Sequence, residues 1–149
     1  MVSKVELSYK EGRNVEQLNY AALEQAGYQG YILKRAPERV LQFGEGNFLR
    51  AFVNYWFDVA NEKAGWNGKC VLVQPIAQGL AELINRQEGL YTLYLRGMEH
   101  GEKVDRKRVI SSVSRCLNPY EAEGFAQMMA MAVSDELEYI VSNTTEAGS

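Results

Sequence analysis

The sequence predicts an α/β fold in which a mostly parallel β-sheet carries helices on its faces. Three observations predict it. Two short apolar runs, Val40-Leu41-Gln42-Phe43 and Cys70-Val71-Leu72-Val73, have the length and β-branched content of buried parallel strands. Between them Phe48, Phe52, Tyr55, Trp56 and Val59 recur at helical spacing, with Arg50, Asn54, Asp58 and Glu62 on the opposite side. Gly44-Glu45-Gly46 joins the first run to that helix. Strand, glycine turn, helix and strand thus succeed one another within about 35 residues, the span of a βαβ unit.

Composition narrows the function classes. The chain has 149 residues, 46% hydrophobic and 23% charged, with a formal net charge of −3. That suits one folded domain with a proper core. A mildly acidic chain gives no electrostatic case for nucleic acid, and the densest basic stretch, Lys103 to Arg108, is interrupted by Asp105. The polar start, Met1 to Gly12, predicts no secretory signal, and no apolar run approaches the ~20 residues of a membrane span. A cytoplasmic protein is the expectation. Cys70 and Cys116 lack partners at metal-ligand spacing and are expected to be buried, reduced thiols. No residue cluster predicts a metal.

Residues 1–36 read as a leader with a short helix, since Val15, Leu18, Ala22 and Ala26 share a helical face and Gly27 can end it. Residues 37–149 read as the main domain. Pro37 marks an extended approach to the first strand. The helix from Asn47 should run about four turns and close at Gly65. Leu80, Leu83 and Ile84 suggest a short helix. Leu90 to Leu95 and Val109 to Val113 are strand-like runs separated by the turn-rich Gly97 to Asp105. They form either an antiparallel pair or successive sheet strands. Asn118 and Pro119 predict a helix start, with Phe125, Met128, Met129 and Ala132 as its buried face. Tyr139 to Val141 is a last strand, expected in one sheet with the first two.

The glycine pair carries the sharpest chemistry. Glycines between a strand and a helix let the backbone approach a pyrophosphate closely, while the helix N–H groups hold the anion. Two glycines can also simply make a tight turn. A third glycine of the common dinucleotide fingerprint would fall where Leu49 stands, and Arg50 follows it. Arg50 is either a bidentate phosphate partner or a solvated helix arginine. The second strand ends Val73-Gln74-Pro75, without the carboxylate that usually accepts from a ribose hydroxyl, so NAD and NADP stay undistinguished. Asn143 and Thr144 follow the last strand, where ligands of open α/β sheets lie. His100, in Met98-Glu99-His100-Gly101-Glu102, reads as a turn histidine.

Three segments carry a family resemblance. Phe43-Gly44-Glu45-Gly46-Asn47-Phe48-Leu49-Arg50-Ala51-Phe52 resembles the signature of the polyol-specific long-chain dehydrogenases and reductases, the mannitol dehydrogenase family. In that family an Arg-containing turn replaces the third glycine. Gln87-Glu88-Gly89-Leu90-Tyr91-Thr92 is similar to the family's Q-x-G-L-Y-T stretch. Ser142-Asn143-Thr144-Thr145-Glu146-Ala147-Gly148 resembles the segment closing the cofactor-binding part in the tagaturonate-reducing branch.

The resemblance implies a Rossmann-like N-terminal domain that binds NAD through Gly44, Glu45, Gly46, Asn47, Phe48, Leu49, Arg50, Gln74, Asn143 and Thr144. It also implies hydride transfer between the nicotinamide and a small sugar-acid substrate, tagaturonate interconverting with altronate. Fructuronate reductases, mannitol dehydrogenases and a non-catalytic nucleotide-binding module are the alternatives. The family's catalytic lysine, with its asparagine and histidine helpers, belongs to a helical C-terminal domain expected to lie outside this chain. No catalytic residue is assigned within it.

Overall fold

The computed structural model describes residues 2–4 and 17–143. Chain order gives β1 (Val2–Lys4), α1 (Tyr20–Gln25), β2 (Glu38–Phe43), α2 (Asn47–Ala51), α3 (Val53–Ala64) and β3 (Lys69–Val73). Then follow α4 (Ala81–Arg86), β4 (Tyr91–Glu99), β5 (Glu102–Ile110), β6 (Val113–Leu117), α5 (Ala122–Ala132) and β7 (Tyr139–Ser142). Asn19 caps α1 by accepting the Ala22 N–H at 2.8 Å, and Gly27 follows its end in the left-handed region. Val15 lies outside the described residues.

Four strands form one parallel sheet in the order β6-β3-β2-β7. The three strands expected to share a sheet do so. In chain sequence the order is third, second, first, fourth, so the connections turn back between β2 and β7. Every residue of β3 is buried, as the unbroken apolar run required. One face of the sheet gathers Val40, Cys70 and Leu72 with Ile84, Leu93 and Ile110. The other gathers Leu41, Val71, Val73 and Leu117 under Met131 of α5. Both cysteines are buried and free, and burial pushes each thiol up to about 12.

The strand runs left open after α4 resolve in a mixed way. β4 and β5 are an antiparallel hairpin, joined with β1 into a second sheet. The supposed turn-rich stretch from Gly97 to Asp105 is therefore mostly strand, and only His100 and Gly101, both at positive φ, make the reversal. The run from Val109 to Val113 is not one strand either. It breaks at Ser111-Ser112, leaving Val109 and Ile110 in the hairpin and Val113 in the parallel sheet. Both serines are fully buried because the chain changes sheets there.

Two helices differ from expectation. α5 starts at Ala122 rather than at Pro119, because the Asn118 side chain closes its own turn by accepting the Tyr120 N–H at 3.1 Å. Its inner face holds Met131 and Met128, whereas Phe125 and Met129 are each 50% exposed.

The long helix is interrupted at Phe52 and buried the other way round. Phe48, Phe52 and Trp56 are 63%, 54% and 54% exposed, whereas Arg50, Asn54 and Asp58 are 2%, 0% and 0% exposed. The spacing was right and the direction was so only in part, since Tyr55 of the expected apolar face packs against the core while Phe48, Phe52 and Trp56 do not. The inward polar groups meet polar partners, which is the condition for burying them. Gln42 and Asn54 exchange amide hydrogen bonds at 3.0 and 2.9 Å. Ser112 Oγ donates to the Asn54 carbonyl at 2.6 Å. Asp58 accepts from the Ser111 N–H at 2.9 Å and from Arg108 Nε at 2.9 Å. Gly65 ends the helix in the left-handed region, as its position predicted.

Candidate functional site

Register brings the predicted segments to one edge. Phe43 at the end of β2 lies opposite Val73 on one side and Ser142 on the other. The residues that follow, Gly44, Gln74 and Asn143, therefore emerge side by side beyond the carboxyl ends of three parallel strands. The crevice between β2 and β7 is where the strand order reverses, and open α/β sheets bind ligands at such a point.

Gly44 sits at φ 126°, which an L side chain rarely adopts, and a Cβ there would meet Leu49 Cδ1 at 2.9 Å. Leu49, standing where a third glycine is usual, thus folds back over the turn and is buried. Gly46 is different. It is extended at φ −67°, it is exposed, and a Cβ built on it would meet nothing within 4 Å. Asn47 and Phe48 are exposed beside it. The first helical N–H groups have no acceptor within their own helix, so the open space beside Gly46 is lined by backbone donors.

Arg50 fits neither sequence reading as it stands. Its guanidinium is buried, lies 5.3 Å from the Tyr91 ring centroid, and donates to Asn47 Oδ1 at 3.0 Å. Tyr91 donates its hydroxyl to the Arg50 carbonyl, and burial holds the phenol well above its ordinary value. Among the described residues Arg50 Nε has no hydrogen-bond partner, and burial lowers the guanidinium's own value. The buried cation one turn below the open glycine adds positive potential at the turn, partly offset by the Glu45 carboxylate. Glu45, 7% exposed, contributes the nearest opposing charge and its Oε1 accepts the Leu80 N–H at 3.4 Å.

Gln74 reaches the right edge, but its side chain is engaged. Nε2 donates to the carbonyls of Ile76 and Ala77 at 2.9 and 3.1 Å, and Oε1 accepts from Ala81 N–H at 3.1 Å. It shapes the loop before α4 rather than offering a free amide. Asn143 is exposed at the end of β7, and Thr144 lies outside the described residues, as do Thr145 and Glu146. Sequence reasoning missed Tyr91 and Asn54 as supports of the turn. The polar repeat Arg50, Asn54, Asp58 was the available signal, since such a stripe is as periodic as the aromatic one. His100 is at the far hairpin tip, and among the described residues no group of three ligating side chains can hold a metal.

Residues 38–149 match the model of the mannitol dehydrogenase Rossmann domain. The chain belongs to that family. Altronate oxidoreductase of Bacteroides thetaiotaomicron is 45% identical over 112 residues, covering 75% of this chain and 23% of the relative. The Halalkalibacterium halodurans protein of the same name is 40% identical over 135 residues, covering 90% and 26%. Among solved structures, Pseudomonas fluorescens mannitol 2-dehydrogenase, in a ternary complex with NAD and D-mannitol, superposes with a TM-score of 0.70 at 25% identity. That match covers 89% of this chain and 27% of the dehydrogenase. A D-sorbitol dehydrogenase, at 21% identity and a TM-score of 0.56 over 75% of this chain and 23% of its own, shares the fold. This mannitol dehydrogenase-family chain spans about a quarter of the length of the curated relatives it matches. Among the described residues no helix is long and apolar enough to cross a membrane.

Proposed function

We propose that this chain is the NAD(H)-binding part of an oxidoreductase that interconverts tagaturonate and altronate, with residues 37–149 as its dinucleotide-binding domain and 1–36 as a leader. The observation that carries the reading is the meeting of Gly44–Phe48 and Asn143 at the switch point of a parallel sheet in a family whose solved member holds NAD. The relatives near 45% identity are named altronate oxidoreductases, whereas the mannitol enzyme stands at 25%, and this favours the sugar acid over the polyol.

The residues fit a dinucleotide. The open space at Gly46 admits a pyrophosphate against backbone N–H groups, where any branched side chain would stand in the way. Arg50 adds positive potential from beneath, and Asn47 is oriented by it. Asn143 is available to a ribose or the nicotinamide side. When bound, the nicotinamide supplies or accepts the hydride. The chain's own part is to hold that group at the edge of the sheet. Proton transfer at the substrate oxygen falls to groups that family resemblance assigns elsewhere.

Calorimetric titration with NADH tests the reading. Gly46→Val should abolish binding while leaving the circular dichroism spectrum unchanged, because its side chain projects into empty space. Equal affinities for the two proteins would refute the site. In the same preparation, residues 1–149 should not oxidise NADH with tagaturonate, since positioned acid/base catalysis alone contributes ~10²–10⁴-fold.

A further inference from the structure

The opposite edge of the parallel sheet holds a second pocket, of about 580 Å³, unrelated to the nucleotide turn. Glu38 and Lys69 open β2 and β3 there, so the length of a strand, about 16 Å, separates it from Gly44. Lys34, Arg35, Lys69 and Arg115 line it, against two carboxylates, Glu38 and Glu88. Glu38 is already neutralised by Arg115, which grips it with Nε at 3.0 Å and Nη2 at 3.1 Å. Glu88 accepts the Tyr20 N–H at 2.9 Å.

Lys69 is the unusual member. The residue is only 3% exposed, yet it lines the cavity, and its hydrogen-bond partner among the described residues is the neutral Tyr20 hydroxyl at 2.9 Å. Lys34 and Lys69 hold their ammonium groups 5.4 and 5.5 Å from the centroid of that one ring. Two cations thus border a single phenol, and the carboxylates that act on Lys69, Asp58 and Glu38, are each already held by an arginine. Tyr20 accepts from Lys69, which leaves its own O–H proton free to donate. Burial pushes that phenol up to about 12, so it remains a donor at neutral pH.

We propose that this pocket binds a phosphate group, held by Lys69, Lys34 and the Tyr20 hydroxyl. The excess of positive charge and three donors grouped around the Tyr20 ring, two ammonium groups and a hydroxyl, suit a dianion with several acceptor oxygens.

Amide chemical-shift mapping with inorganic phosphate tests this, because it separates the pocket from the nucleotide turn. Shifts are expected at Tyr20, Lys34, Lys69 and Asn85, with the same affinity in Gly46→Val. Lys69→Met should weaken binding about tenfold or more, the strength of a lost charge-assisted bond. Should that variant not fold, Lys34→Gln, at an exposed position, decides in its place with a several-fold loss. A parallel titration with glycerol phosphate distinguishes a phosphomonoester, which would bind more tightly, from free phosphate, which would bind equally. No response, shifts confined to Gly44–Phe48, or affinity unchanged in both lysine variants would overturn the proposal.

Discussion

At the scale of single residues, the two glycines of the turn do different jobs. Gly44 is needed by the fold, since its backbone is left-handed and Leu49 crowds it. Gly46 meets no such crowding, and the proposed nucleotide site needs the space it leaves. Gly44→Ala should therefore cost about 1–3 kcal/mol in urea denaturation, whereas Gly46→Ala should stay within about 0.5 kcal/mol. A large loss at Gly46 with none at Gly44 would reverse the assignment.

Lys69 gives a pH prediction at the same scale. Burial lowers its value from 10.5 to about 8. Below pH 8 it is charged in both folded and unfolded chains, and the full cost of burying the charge is present. Above that, the folded chain releases the proton first, so stability rises toward pH 10.5. The two thiols, held near 12, act oppositely once the unfolded thiols begin to ionise above about pH 9. The difference between wild type and Lys69→Met isolates the lysine. It should favour wild type more at about pH 9.5 than at about pH 7. A difference that does not change with pH would contradict the burial.

Among elements, α3 shows what a sequence pattern conveys and what it leaves out. Helical period was legible from Phe48, Phe52 and Trp56, and the cap from Gly65. Which stripe faced inward was not, because hydrophobic period alone assumes that apolar groups go inside. Asn54 and Asp58 find partners on Gln42, Arg108, Ser111 and Ser112, residues 12 to 58 positions away in sequence. No local window contains them. Gln74 was likewise placed at the correct edge, but its capture by Ile76, Ala77 and Ala81 depended on the path of the following loop. The inversion predicts unequal costs. Trp56→Gln should change stability by less than about 0.5 kcal/mol. Arg108→Met should cost about 3–5 kcal/mol by stranding the fully buried Asp58. The reverse ranking, by urea titration of both variants, would restore the aromatic face to the core.

At the scale of the whole molecule, three of the four parallel strands were legible, whereas the sheet order that positions everything else was not. Val40–Phe43, Cys70–Val73 and Tyr139–Val141 announced themselves as strands of one sheet, whereas the hairpin and β6 lay hidden in runs whose pairing is a long-range matter. The order β6-β3-β2-β7 puts the glycine turn beside Asn143 on one edge and the basic pocket on the other. On the proposed function, the first of these edges holds a dinucleotide. A crystal structure of the chain grown with NADH tests it most directly. The pyrophosphate is expected against the backbone of Gly44 to Asn47, with the nucleotide crossing the crevice between β2 and β7. NADH seated elsewhere, with that turn left to solvent, would contradict it.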